Sequence, residues 1–193
     1  MAYRNTTETF GSVAKTLHWA IAICFLVSYS SAYYAIVYTV DGQVANDVAV
    51  QIHITTGIIV GVLIAIRVYW RLTGIRPGFL TRNDNFERAA RVSHGVLYAC
   101  MIIQPITGYL GTFRDADYLG VTNFGDTAMF AWIAATFDTT WEAWEAPMDF
   151  IHRTVLGANL LWMLLVVHIG AGLMHHFYWK DQTLTRMLPG RKR

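Results

Sequence analysis

The sequence is short of the features that mark a secreted or soluble domain. It has only two cysteines, Cys24 and Cys100, both inside apolar runs. No C-x-x-C-H accompanies them, so neither covalent c-type haem attachment nor a disulfide is expected. Internal repeats, low-complexity tracts and domain boundaries are absent. Formal charge is missing from four long stretches, 17–40, 48–66, 92–113 and 154–173. Each holds roughly 19 to 24 residues, enough to cross a hydrocarbon core of about 30 Å as a helix. Lipid cannot satisfy the backbone of an open strand, which excludes sheet there. The chain is 54% hydrophobic with mean hydropathy +0.34, too apolar for an ordinary soluble domain.

These features predict an all-α integral membrane four-helix bundle forming one domain over 1–193, with spans near 14–39, 47–71, 88–113 and 149–178. The first run is longer than a signal-peptide core and is expected to be retained. Charge orients the bundle. The N-terminal tail, the connection between spans two and three and the C-terminal tail carry thirteen basic residues against four acidic, a net +9. The opposite side carries Arg114 and Arg153 against nine acids, a net −7. The positive-inside rule then places both termini in the cytoplasm. The basic clusters read as orientation and lipid contact, not as a nucleic-acid surface. In the long outer connection, 114–148, the piece MFAWIAATF is too short to span. It is expected to form an interfacial helix with tryptophans at headgroup depth.

Seven histidines, His18, His53, His94, His152, His168, His175 and His176, all lie in or at the ends of the spans. Any one alone reads as an interhelical hydrogen bond or an interfacial anchor. Depth sorts four of them. His53 and His152 fall near the outer ends of spans two and four. His18 falls near the inner end of span one, and His168 lies sixteen residues beyond His152, roughly 24 Å further in. Two levels, each with two imidazoles from different helices, is the pattern of bis-histidine haem ligation. Zinc wants four ligands at one level. Gly57 and Gly61, at i+4 and i+8 from His53, either clear helix surface for a cofactor or serve close helix packing. Lys15 and Arg153 either reach haem propionates or snorkel. His94, with His175, His176, Trp179, Lys180 and Arg67 or Arg71, falls at a depth suited to a quinone pocket or to interfacial anchoring.

At these residues the chain resembles the bacterial cytochrome b561 family of four-helix, di-haem inner-membrane proteins. The carrying features are LHW at 17–19, HITTG at 53–57 and the tail HIGAGLMHHFYWKDQTLTRMLPGRKR at 168–193. The tail is similar to the branch described as superoxide oxidase, which passes electrons from superoxide to ubiquinone. The resemblance implies two b haems, with His18, His53, His152 and His168 as iron ligands. It also implies a catalytic position at the quinone end for His175. A multi-pass protein of the bacterial inner membrane is expected, with lipid, ubiquinone and superoxide or a periplasmic redox protein as partners. The rival expectations are a membrane-anchor electron-transfer subunit for a partner dehydrogenase or periplasmic cytochrome, and a haem-free transporter using histidines as proton relays.

Two departures from the family pattern sharpen these expectations. The family spaces the two histidines of its last helix by fourteen residues, which is −40° on an ideal helix. Here the spacing is sixteen, which leaves 160°. A local irregularity between His152 and about Leu160 is therefore expected. An outer face of −7 repels superoxide, an anion, unless Arg114 and Arg153 focus it locally.

Overall fold

The computed structural model describes residues 2–80, 83–112 and 118–189. Arg114, invoked above for steering, lies outside them. The described residues are all-helical: α1 (Ser12–Tyr38), α2 (Val44–Thr73), α3 (Asp84–Gly111), α4 (Ala128–Phe137) and the continuous α5 (Trp141–Phe177). A short 3₁₀ turn, Phe124–Asp126, precedes α4.

Three of these helices, α1, α2 and α5, are both long and apolar enough to cross a membrane. α3 has matching length but begins among charges, Asp84, Glu87, Arg88 and Arg91. The outward faces are apolar: Leu26 is 65% exposed, Ile36 67% and Val166 66%. Such a surface is costly in water and suits lipid.

Two helices start earlier than their hydropathy suggests, because caps rather than apolar runs set the boundaries. Asn83 accepts from the amides of Asn85 and Phe86, so α3 opens at Asp84 and not near 88. Thr140 accepts from the amide of Ala143, so α5 opens at Trp141, eight residues before the expected start at Asp149. Both are side-chain N-caps. Pro147 and Pro105 lie inside α5 and α3, which run on through them. The piece MFAWIAATF is helical in α4, capped by Thr127, whose Oγ1 accepts from the Phe130 amide at 3.1 Å.

Small side chains govern the packing, as expected where lipid removes the hydrophobic drive for helix association. Ser28, Ser31, Ala35 and Ala49 are buried in α1 and α2. Asn46 Nδ2 donates to Thr39 Oγ1 (2.9 Å) and to the Ala35 carbonyl (3.3 Å), tying the two helices at one end. A β-carbon on Gly111 would lie 2.8 Å from Met148 Cβ, so α5 approaches α3 only because that residue is glycine. The core is correspondingly small: Ile21, Val60 and Ile64 form one cluster, and Cys100, Leu156 and Leu161 another.

The expected irregularity in the last helix is a π-helical segment, Phe150–Leu160. A ladder of i→i+5 hydrogen bonds turns less per residue than an α-helix. Cancelling the 160° offset over the eight steps from His152 to Leu160 needs about 80° per residue, or about 4.5 residues per turn, which a π-helix supplies. Side chains hold this wide turn. Gln104 Nε2 donates to the His152 carbonyl at 3.0 Å, Asn159 Nδ2 to the Thr154 carbonyl at 2.7 Å, and Tyr29 Oη to the Gly157 carbonyl. A β-carbon on Gly157 would lie 2.6 Å from the His152 carbonyl oxygen.

Candidate functional site

The helices bring the histidines together at two levels, which keep the names outer and inner from the orientation expected on charge. The rings of His53 (α2) and His152 (α5) have centroids 5.9 Å apart. Those of His18 (α1) and His168 (α5) are 6.1 Å apart. A metal–imidazole bond of about 2 Å puts the metal roughly 3 Å from the ring centroid, so two imidazoles sharing one metal have centroids about 6 Å apart. Among the described residues no group of three or more His, Cys, Asp or Glu side chains is arranged to hold a bare metal ion.

At the outer level the second nitrogen of each ring is engaged. His53 Nδ1 lies 3.0 Å from the Ser28 carbonyl and 2.9 Å from Ser28 Oγ. His152 Nδ1 lies 2.8 Å from the Gln104 carbonyl. Both rings therefore donate from Nδ1 and keep Nε2 as the free lone pair, the tautomer that a metal ligand needs. Gly108 makes room for the second ring: a β-carbon there would lie 2.7 Å from His152 Cε1. A cleft of about 70 Å³ at this level is lined by His53, Gly57, Pro105, Tyr109, Tyr118 and His152, among others.

The inner level holds a third ring. His94 (α3) lies 5.5 Å from His168 and beside the Ala90 carbonyl. It therefore joins the inner pair and not the tail. Trp19 packs edge-on against His18 at 5.5 Å, and its Nε1 donates to the Met187 carbonyl at 2.8 Å, so the C-terminal tail folds under the inner pair.

The expected quinone residues separate in space. His175 and Trp179 stay together, with ring centroids 4.5 Å apart, and Phe86 covers Trp179 at 5.6 Å. His175 Nδ1 lies 2.5 Å from Asp181 Oδ2 and 3.2 Å from Thr183 Oγ1. Burial alone would raise the Asp181 carboxyl, but hydrogen bonds from His175 and from Thr183 outweigh it and hold the group below its ordinary value. Lys180 is exposed, in a left-handed turn (φ 53°) that reverses the chain after α5, and His176 packs on Phe177.

The two basic residues expected at propionates are engaged elsewhere. Lys15 Nζ donates to the Leu188 carbonyl at 3.3 Å, and Arg153 pairs with Asp149 at 3.4 Å on the surface. The two glycines of α2 also differ. A β-carbon on Gly57 would meet nothing within 4 Å, whereas one on Gly61 would touch Pro105 at 3.4 Å. Gly57 borders open space and Gly61 serves helix packing. Sequence reasoning did not single out Ser28, Gln104 or Gly108 for the site. The usable signal was polar or very small residues within apolar runs, at helical spacing from one another.

Helices of membrane-crossing length that bring paired imidazoles to two levels define a helical membrane protein built around histidine pairs. Residues 9–190 match the family model for prokaryotic cytochrome b561, and the chain belongs to that family. It is similar to cytochrome b561 homolog 2 of Escherichia coli (strain K12), at 30% identity over 193 aligned residues covering 97% of this chain and 95% of that protein. It is also similar to cytochrome b561 homolog 1 of the same organism, at 32% over 110 residues covering 54% of each. The family places it among membrane haem b electron-transfer proteins. The outer pair fits haem on three observations: the 5.9 Å ring separation, the engaged Nδ1 atoms, and the open space beside Gly57. The inner pair has an equivalent separation.

Proposed function

We propose that this chain is a di-haem b oxidoreductase that carries electrons from the periplasmic side, with superoxide as donor, to ubiquinone at the cytoplasmic side. In this reading α1, α2, α3 and α5 are the four spans of a bacterial inner-membrane protein with both termini cytoplasmic. α4 lies at the outer interface. The observation that carries it is the pairing of His53 with His152 and of His18 with His168 at one-metal separation. A haem b held by each histidine pair would supply one-electron transfer, and two at different depths would supply a path across the bilayer.

The chain's own residues do the rest. His53 and His152 present Nε2 to the outer group, and the Ser28 and Gln104 carbonyls fix their tautomers. His18 and His168 supply the second pair of imidazoles at the inner level. At the inner end Asp181 orients His175 so that its Nε2 faces outward to a quinone oxygen, with Trp179 as an aromatic wall. The net reaction balances as two superoxide, one ubiquinone and two protons giving two dioxygen and one ubiquinol. Rapid mixing of the pure, oxidised protein with superoxide tests the donor. The b-type absorbance becomes reduced within the mixing experiment; if it stays oxidised, superoxide is not the donor.

One observation favours a second reading, an electron-transfer subunit for a partner dehydrogenase or periplasmic cytochrome. α4 exposes Met129 (56%), Trp132 (62%) and Phe137 (68%) on the acidic side of the chain. Aromatics without lysine suit a docking patch. A complex that survives mild detergent extraction supports this reading, and full activity of the lone chain contradicts it.

A further inference from the structure

Arg67 is a cation close to the inner histidines, and among the described residues no carboxylate pairs with it. It lies on α2, fourteen residues toward the inner end from His53. Its Nε donates to Tyr98 Oη at 2.9 Å, and its Cζ lies 5.8 Å from the centre of the same ring. Arg71 Cζ sits 4.9 Å from that ring, so Tyr98 is gripped by both guanidinium groups. Arg67 is half-buried, and its Nη1 is buried and has no hydrogen-bond partner among the described residues. The groups that feel its charge are His18, His94 and His168. Arg91–Glu87, Arg153–Asp149 and His175–Asp181 pair elsewhere.

A guanidinium cannot shed its charge by losing a proton. A buried charge without a counter-ion is strongly unfavourable, and buried charges are accordingly found paired. Its hydrogen-bond partner is the Tyr98 hydroxyl and the groups that feel its charge are imidazoles, none of which is an anion that could neutralise it. An anion from outside the chain completes the site, and the planar guanidinium fork is shaped for a carboxylate.

We propose that Arg67 binds a propionate carboxylate of the haem carried between His18 and His168, with Tyr98 as the positioning residue that fixes Nε and turns Nη1 toward the anion. This rests on the two-haem reading above. It replaces Lys15 as the inner propionate partner, since Lys15 is committed to the Leu188 carbonyl. A neutral quinone oxygen would accept a hydrogen bond from Nη1 but would leave the charge uncompensated.

The test is a redox titration of purified, haem-loaded protein, with resonance Raman spectra of the propionate bending mode. The wild type gives two reduction waves, and His18→Ala identifies the inner one by its loss. Arg67→Gln shifts only the inner wave, to more negative potential, because removing a positive charge disfavours the added electron. The expected size is roughly tenfold in the reduction equilibrium, about 59 mV for one electron. It also alters the propionate band, and Arg67→Lys restores part of both. Unchanged inner wave and unchanged band in Arg67→Gln overturn the proposal. If Arg67→Gln fails to retain the inner haem, Tyr98→Phe keeps the charge and frees Nε. A shifted inner wave or band then supports the proposal, and both unchanged overturn it. A wild type carrying one haem defeats the two-haem reading itself, independently of Arg67.

Discussion

His152 and Gln104 exchange two hydrogen bonds: His152 Nδ1 donates to the Gln104 carbonyl at 2.8 Å, and Gln104 Nε2 donates to the His152 carbonyl at 3.0 Å. The first fixes the ring. The second satisfies a carbonyl in the wide turn that aims the ring. Gln104→Leu removes only the second, since any residue keeps its backbone carbonyl. A net hydrogen bond is worth about 1 kcal/mol, so the outer haem should dissociate roughly fivefold faster. Haem transfer to an excess of an apo-acceptor protein measures this rate. An unchanged rate means the exchange does not hold the ligand.

Two glycines make opposite predictions about protein and cofactor. Gly108→Ala places a β-carbon 2.7 Å from His152 Cε1 and displaces the ring whether or not haem is bound. Gly57 faces open space, so Gly57→Leu should leave the helical content and thermal unfolding of haem-free protein near wild type while reducing outer haem occupancy several-fold. Circular dichroism and haem absorbance separate the two. Normal haem occupancy in Gly57→Leu would mean that the porphyrin does not use that space.

The π-helical segment corrects a sixteen-residue spacing that would leave 160° between His152 and His168. Deleting Ala158 and Asn159 restores fourteen residues, or −40° on a regular helix, whereas deleting one residue leaves about 60°. The two-residue deletion should therefore retain more of the outer haem than the one-residue deletion. The reverse order, read from haem-to-protein ratios, would show that the spacing is not what the π-helix compensates.

Asp181 gives the inner tail a dependence on pH. Its carboxyl is held below the ordinary value by hydrogen bonds from His175 and Thr183, which outweigh burial. A depressed folded value means that the ionised group stabilises tail docking fully above the unfolded value of about 4, and that this contribution is lost as pH falls through the folded value. The fluorotryptophan NMR signal of Trp179, assigned with Trp179→Phe, should be constant at neutral pH and move toward its undocked position only in acid. Asp181→Asn should show the undocked position already at neutral pH. A wild-type signal that moves near neutrality would point to another group.

The helices and the grouping of His53 with His152 and His18 with His168 by depth were legible because helix rise turns residue number into height. The 3.6-residue period likewise turned the sixteen-residue spacing into a local distortion. Contacts that depend on how one helix rotates against another were not legible. Gln104 and Ser28 act through backbone carbonyls aimed across an interface, and Gly108 acts by lacking an atom. Arg67, Lys15 and Arg153 look alike as basic residues near span ends. Only the fold shows that Lys15 meets the Leu188 carbonyl, Arg153 meets Asp149, and Arg67 Nη1 is buried without a partner among the described residues. The boundaries of α3 and α5 were displaced because Asn83 and Thr140 cap beyond the apolar runs.

The central claim is two haems, one at each histidine pair, and the haem-to-protein ratio of the purified chain tests it most directly. A pyridine haemochrome assay against amino-acid analysis should give two b haems per chain, falling to one in His152→Ala and to one in His18→Ala, with different reduced spectra remaining in the two variants. A wild-type ratio of one, or two variants that lose the same haem, would contradict the account.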